Sequence, residues 1–298
     1  MKRVLKIVMW VVLALIVVLA AAVFAGLQMG ERKLKRQIDA NPQPVAYATS
    51  AEVLPQGKYL FDSRGCAECH GANGEGRVMI DKDGFHVRTP NISPTGVVAR
   101  YTERDWVRAI RHGVKPDNTP LFIMPSEDYN RLTDADFAAL VAYSRSLPPS
   151  TGPGAEIRLP VPVKVLYGFG AIPDAAEKID HKLPPAQPVQ VAANAAHGAY
   201  VANMCIGCHG PTLSGGNIPG GPPEWPAAAN ITPGAGSIMP IYDTAEKFRA
   251  MMRNGKRPDG STVNAAMPFS SLKAMNDTDL DALYAFLKTV PAKAAGGR

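Results

Sequence analysis

The chain has 298 residues, 46% hydrophobic and 19% charged, with 27 Gly, 27 Pro and 4 Cys, which excludes a disordered chain, a sheet-dominated one and a disulfide-dense scaffold. At about 150 residues per domain the length fits two domains with cores of their own. The net charge of +6 lies wholly within residues 1–36, where seven Lys and Arg oppose Glu31; the other 262 residues balance 25 basic with 25 acidic side chains, so no nucleic-acid partner is expected.

From Ile7 to Leu27 runs an uncharged apolar stretch of 21 residues, long enough to cross a hydrocarbon core of roughly 30 Å as a helix. It reads as a membrane anchor, because it exceeds the h-region of an ordinary signal peptide. A cleaved signal peptide is the competing reading, since Lys2, Arg3 and Lys6 form an n-region and Ala22 to Ala25 offers a cleavage site. Basic residues flank both ends, with ERKLKR at 31–36 on the far side, so charge alone leaves the orientation tied. The ERKLKR run fits either anionic lipid headgroups or a solvated stalk.

Two modules follow, about 50–149 and 191–292, in a common register. Each opens on an apolar-periodic segment ending in Cys-x-x-Cys-His, at Cys66–His70 and Cys205–His209; an Asn-Ile-(Ser/Thr)-Pro run starts 21 residues after each motif histidine, at Asn91 and Asn230. RHGVKPD and RNGKRPD then end predicted helices at Gly113 and Gly255, with Thr102 and Thr244 as N-caps and Trp106 and Phe248 in matching apolar positions. Each module closes with Met-Pro and an amphipathic helix whose start, at Thr133 or Asn276, lies nine residues after the Met. This register points to duplication. The segment 150–190 carries seven prolines between them and reads as an extended connector packing over the surface.

The chemistry lies in Cys66-Ala67-Glu68-Cys69-His70 and Cys205-Ile206-Gly207-Cys208-His209. Two thiols at this spacing can each form a thioether to a haem vinyl group, and the adjacent imidazole can ligate the iron. A four-thiolate zinc ribbon, a redox dithiol and purely structural cysteines are the other readings. A whole module separates the two pairs, no thioredoxin-like βαβ pattern surrounds them, and structural cysteines do not require a histidine in the same place twice.

A sixth ligand on each iron separates an electron carrier from a catalyst. Of 11 methionines, Met124 and Met267 alone occupy corresponding places, each before a proline. Met239 also precedes a proline but has no counterpart in the first module, and stays as an alternative second ligand. Met79 and Met204 read as core. His86 reads as a loop residue near the first haem, with bis-histidine ligation as the alternative, and His112 as a partly cationic helix-end residue. His181 and His197 carry no assigned role. Asp134, Asp136, Asp277 and Asp279 occupy first turns of the closing helices, where carboxylates cap rather than catalyse.

On these residues each module resembles a class I c-type cytochrome domain. The runs PNISPTG, TERDWVRAIRHGVKPD and MPSEDYNRLTDADFAALVAYSRSLPP of the first module are similar to the cytochrome c subunits of bacterial membrane-bound alcohol and gluconate dehydrogenases. Those subunits usually carry three haem motifs, where this chain has two and an N-terminal apolar segment. The resemblance covers about 100 residues per module and implies cytochrome c domains at 50–149 and 191–292 in a mainly α chain; the transmembrane anchor at 1–36 and the Pro-rich connector at 150–190 lie outside it and are read from the residues alone. It implies two covalently bound haem c groups on Cys66, Cys69, Cys205 and Cys208, with iron held by His70 and Met124 in one module and His209 and Met267 in the other. No catalytic residue is expected.

The implied function is transfer of single electrons from a dehydrogenase or quinol-oxidising complex toward a terminal oxidase. Its place would be the bacterial inner membrane with the haem domains in the periplasm, which resolves the charge tie in favour of an N-terminus inside. Two alternatives stand beside it. One is a dihaem enzyme with an open iron, a peroxidase or small-substrate oxidase, whose signature would be a module lacking a sixth ligand. The other is a fixed electron-entry subunit of a terminal oxidase.

Overall fold

The computed structural model describes residues 1–222 and 224–297. The apolar N-terminal run forms helix α1 (Lys2–Leu34), whose most apolar stretch has a mean hydropathy of 3.1 with none of it buried. Helical periodicity continues through the charged ERKL, so the helix outlasts the apolar segment by about two turns.

The first module begins at α2 (Leu54–Ser63), then α3 (Cys66–His70), a hairpin of β1 (Val78–Lys82) and β2 (Phe85–Arg88), α4 (Glu103–His112) and α5 (Asp134–Ser146). The connector holds β3 (Glu156–Arg158), α6 (Val161–Gly168) and α7 (Ala175–Lys178). In the second module α8 (Ala195–Val201), α9 (Ile206–His209), α10 (Ala245–Asn254), α11 (Phe269–Leu272) and α12 (Asp277–Leu287) follow in the same order. The chain is mostly helical, as expected, and its one sheet among the described residues is small: β1, β2 and β3 pair antiparallel in that order. The hairpin turns on Asp83 and Gly84, both at positive φ, the two-residue geometry that Asp-Gly favours.

In each module the first helix crosses the last at a glycine. A Cβ at Gly57 would stand 2.1 Å from the Ala139 carbonyl oxygen, and one at Gly198 would stand 1.9 Å from that of Ala282. No side chain fits there, and the close approach brings α2 onto α5 and α8 onto α12. Leu60, Phe61, Trp106, Ile110, Phe137 and Leu140 fill one core; Val201, Phe248, Met252, Leu280 and Leu283 fill the other. The capping expectations hold. Thr102 forms a capping box with Asp105, while Thr133, Thr244 and Asn276 each accept a backbone N–H three residues on, and α4 and α10 end at Gly113 and Gly255 with φ of 65° and 69°.

The connector does pack over the first module, but as β3, α6 and α7 rather than as extended chain alone. Strand β3 extends the hairpin of the first module. Helix α6 packs against α1, where a Cβ on Gly168 would lie 2.2 Å from the Gly26 carbonyl oxygen. Below this contact Arg36 forks onto Asp174 at 2.6 and 2.8 Å, Tyr167 donates to the same carboxylate at 2.5 Å, and Lys33 pairs with Glu177 at 2.8 Å. Lys33 and Arg36 of the basic run are therefore ion-paired rather than part of a free stalk. They dock the connector.

The modules meet across a pseudo-two-fold interface built from equivalent residues. Tyr59 donates to Asp279 at 2.6 Å and Tyr200 donates to Asp136 at 2.5 Å. Each carboxylate is also held within its own module, Asp279 by His197 at 2.7 Å and Asp136 by Gln56 at 2.9 Å. Symmetry breaks at one place. Cys66 lies nine positions after Gly57 but Cys205 only seven after Gly198, and the additional length supplies Arg64, buried and donating to Asp279 at 2.8 Å. His197, given no role by its sequence context, is thus part of the interface.

Burial works against the Asp279 carboxylate, but the Arg64 guanidinium and the donors from Tyr59 and His197 outweigh it and hold the group below its ordinary range. Its contribution is complete above the ordinary carboxylate value near about 4 and is lost as pH falls through the lower folded value. Asp279→Ala strands a buried cation and is expected to cost about 3–5 kcal/mol in guanidinium unfolding of the full chain in detergent. Asp136→Ala, with neutral partners, is expected to cost about 1–3 kcal/mol, and Asp279→Asn is expected to remove this carboxylate's share of the acid limb of the stability profile.

Candidate functional site

The two motifs lie on short helical turns closed by glycines. Cys66 and Cys69 share one face of α3, with Gly71 at φ 83° ending it; Cys205 leads into α9, which ends at Gly210 with φ 78°. All four cysteines are free thiols, half-buried. Burial first, and the neighbouring Cys69 second, push the Cys66 thiol up to about 12; burial and then Asp128 bring Cys205 to about 12 as well. An activated redox dithiol needs the opposite shift. Among the described residues no three Cys, His, Asp or Glu side chains converge on a metal-sized site, so the four thiols form no zinc ribbon.

Each motif histidine is oriented by a backbone carbonyl. His70 Nδ1 lies 3.0 Å from the Pro90 oxygen and His209 Nδ1 lies 2.8 Å from the Ala229 oxygen. A carbonyl only accepts, so Nδ1 carries the proton and the lone pair sits on Nε2, the tautomer that an iron ligand needs. Burial lowers the His70 pKa against the raising effect of the Pro90 bond, which favours the neutral ring.

Those carbonyls are positioned by the Asn-Ile-(Ser/Thr)-Pro landmarks. Asn91 accepts from Ser93 N–H at 2.8 Å and donates to the Ser150 carbonyl at 2.8 Å. Asn230 accepts from Thr232 N–H at 2.9 Å and donates to the Lys293 carbonyl at 2.8 Å. One side chain thus ties the loop beside each histidine to the chain leaving the closing helix. The repeated register exposed these asparagines, but spacing gave no hint of the bond to the far end of the module.

In the second module Cys205, His209, Met239 and Met267 line a cleft enclosing about 560 Å³ of empty space, part of it open to solvent, with Phe248, Met252 and Leu283 among its walls. Its lining has the apolar character of a cofactor site. In the first module Cys66 and Met124 pack at the edge of the core beside Leu60, Phe61 and Trp106. The paired thiols, the carbonyl-oriented imidazoles and the methionine-bearing walls fit a thioether-linked haem.

Met239 does have a structural counterpart. Ile238 N–H donates to the Asn230 carbonyl as Val97 N–H donates to that of Asn91, both at 2.9 Å, which sets Met239 where Val98 stands. Both residues are buried in their cores, at 3% and 8% exposure. Unequal loop lengths conceal this equivalence in the sequence.

The remaining histidines differ from their sequence readings. His86 lies on β2 rather than in a loop, 3.1 Å from Asp81. His112 stacks on His181 with their Nδ1 atoms 3.0 Å apart. Burial, then His181, then Arg111 bring its pKa down to about 4, so His112 is neutral near pH 7 and not a dipole-stabilised cation. The first-turn acids do not cap: Thr133 and Asn276 do, while Asp136 and Asp279 hold the interface and Asp134 and Asp277 pair with the equivalent Arg111 and Arg253 at 2.8 and 2.7 Å.

Residues 55–148 and 194–291 each match the cytochrome c family. The chain belongs to that family, whose members carry covalently bound haem c and transfer electrons. It is 28% identical over 286 residues to the fructose dehydrogenase cytochrome subunit of Gluconobacter japonicus, covering 86% of this chain and 56% of that one. It is 28% identical over 292 residues to a diheme cytochrome c-type protein of Cereibacter sphaeroides, covering 87% and 92%. A 95-residue stretch is 39% identical to the cytochrome c subunit of a quinone alcohol dehydrogenase from Gluconacetobacter polyoxogenes, covering 30% and 20%. The chain thus spans about half the length of the fructose dehydrogenase subunit and nearly all of the diheme protein.

Asn91→Ala and Asn230→Ala each remove a buried donor and acceptor and are expected to cost about 1–3 kcal/mol by denaturant unfolding. Each Asn→Asp variant keeps the acceptor and is expected to lose less.

Proposed function

We propose that the chain is a membrane-anchored dihaem cytochrome that passes single electrons from a dehydrogenase to an acceptor further along a respiratory chain. Cys66 and Cys69 would hold one haem c and Cys205 and Cys208 the other. His70 and His209 would be proximal ligands, with Met124 and Met267 distal. When bound, the haem iron supplies one-electron oxidation and reduction.

The protein's own part is to hold each iron closed and dry. The Pro90 and Ala229 carbonyls keep Nε2 of each histidine available, and the apolar walls of the cleft would shield a bound haem from water. A methionine there, relative to histidine, favours the reduced iron and raises its potential. The observation that carries the reading is the repetition of one oriented histidine and one Met-Pro segment in both modules. An enzyme with an open iron would break that repetition.

The interface supports passage of electrons within the chain. Gly207 N–H donates to Asp128 at 2.9 Å, and Ser271 donates to Glu68 at 2.7 Å. Each motif turn therefore touches the segment that follows the other module's Met-Pro, which supports two haem-holding motifs placed close together. A terminal oxidase as acceptor rests on the ligand chemistry alone. The dehydrogenase as donor is supported by relatives named as dehydrogenase subunits. Helix α1, long and apolar enough to span a bilayer, supports a single-pass anchor in the bacterial inner membrane with both modules in the periplasm.

A pyridine haemochrome assay on the purified chain is expected to give two haems per chain, and one after Cys205→Ser combined with Cys208→Ser. Met267→Ala is expected to remove half of the sulfur-to-iron absorption band and open one iron to carbon monoxide, whereas Met239→Leu leaves both signals intact. Retention of the full band in Met267→Ala overturns the ligand assignment.

A further inference from the structure

The two motif turns meet the opposite module through equivalent positions that carry different chemistry. Asp128 and Ser271 each lie four residues after Met124 or Met267, and Glu68 and Gly207 each stand third in a Cys-x-x-Cys-His motif. In one contact the acid is on the motif, Glu68 accepting from the Ser271 hydroxyl at 2.7 Å. In the other it comes from the opposite module. Asp128 accepts from Gly207 N–H at 2.9 Å, and a Cβ on Gly207 would meet its two carboxylate oxygens at 2.7 and 2.9 Å. Glycine at 207 therefore leaves the room that both oxygens of Asp128 occupy, against the turn that carries Cys205 and Cys208. The charges around Asp128 are already committed. Its neighbour Glu127 pairs with Lys178 of α7 at 2.6 Å. Arg64, Arg131, Tyr129 and Tyr200 line the small cavity beside it, but Arg64 donates to Asp279 and Arg131 to the Pro184 carbonyl, and burial moves both tyrosines further from ionisation. Burial first and Glu127 second push the Asp128 carboxyl up to about 8, against the Gly207 N–H and Lys178. The side chain is half-buried rather than sealed, so its proton can exchange with solvent.

We infer that Asp128, reaching across from the first module, is a redox-linked proton site for the second haem: its carboxyl releases a proton to solvent when that haem passes an electron to a one-electron acceptor, and takes one back when the electron is replaced. The inference rests on the proposed dihaem function. One negative and one positive charge leave together, so the net charge held at the second motif turn is the same in both states. Positive charge added on a neighbouring iron favours the carboxylate over the acid. By linkage an ionised Asp128 then favours the oxidised iron by the same factor. Ser271, at the equivalent place, offers the first motif no titrating group of this kind.

The test is a spectroelectrochemical titration of the full haem-loaded chain in detergent across about pH 6–10. The second haem's wave is identified by its loss when Cys205→Ser is combined with Cys208→Ser. Its potential is expected to fall as pH rises through the range around about 8, and a tenfold drop in proton affinity on oxidation reads as a fall of about 59 mV. Asp128→Asn keeps an acceptor for the Gly207 N–H and is expected to abolish that fall while both haems and their sulfur-to-iron absorption persist. An undiminished fall in Asp128→Asn assigns the proton to another group, such as a haem carboxylate, and overturns the inference while the carrier reading stands. A second wave that is flat with pH in the unmodified chain overturns it equally. Should Asp128→Asn fail to hold its second haem, redox-difference infrared spectra of the unmodified chain decide. A protonated-carboxyl band lost on oxidation, and shifted when aspartate carries heavy carbon in its carboxyl, supports the inference; a band that this label does not move overturns it. Absence of any second wave from the unmodified chain overturns the dihaem reading and the inference together.

Discussion

Two carboxylates, Asp136 and Asp279, hold the architecture together, because each joins three parts of it. Each lies in the first turn of a closing helix, each is tied to the first helix of its own module through Gln56 or His197, and each accepts from a tyrosine of the other module. A tyrosine hydroxyl reaching a half-buried or buried carboxylate is a strong, directional bond. Since Tyr59 and Tyr200 sit on the helices that lead into the motifs, the bond that joins the modules also sets the position of each motif turn relative to the other. The motif contacts at Glu68–Ser271 and Gly207–Asp128 follow from it.

The two halves are not equally held. Arg64 places a buried cation against Asp279, while the equivalent Asp136 meets only neutral donors. Tyr129 also donates to the Arg64 carbonyl at 2.8 Å, fixing the added turn between α2 and α3, where Gly65 takes φ 86°. The second module runs from α8 into its motif with no such break. A buried ion pair is weak evidence for net stability, but it specifies geometry, since any slippage strands a charge. This pair fixes the register of the interface against the alternative in which the modules slide along their shared axis.

Much of this was legible in the sequence, and what was not shares a cause. The motifs, the caps at Thr102, Thr133, Thr244 and Asn276, and the glycine helix ends could be read because each is a local device with a fixed spacing. The repeat then selected Met124 and Met267 without reference to space. The interface could not be read: Tyr59 looks like any residue on a core-facing helix, and Asp279 already has a sufficient local explanation as a first-turn acid. Its second role involves a residue 220 positions away. The same holds for Met239, whose equivalence to Val98 emerges only from matching backbone bonds, and for His112, whose neutrality depends on a connector histidine 69 positions on. The hairpin at Asp83-Gly84 is different, because its turn signal was present and the Pro- and Gly-rich surroundings obscured it.

The contacts run in series outward from α1. Arg36 and Lys33 at the end of α1 grip Asp174, Glu177 and Tyr167 of the connector, and the buried Tyr167 ring meets Phe122 edge-on at 4.9 Å. Phe122 lies two residues before Met124, so the collar around the anchor braces the segment that carries the first module's candidate distal ligand. That segment continues through Asp128 to Gly207 in the second motif. This chain of contacts links α1 to the second motif and passes beside one candidate iron site before meeting the other, so a displacement at α1 bears on the first module's Met124 segment and through it on the second module's motif turn.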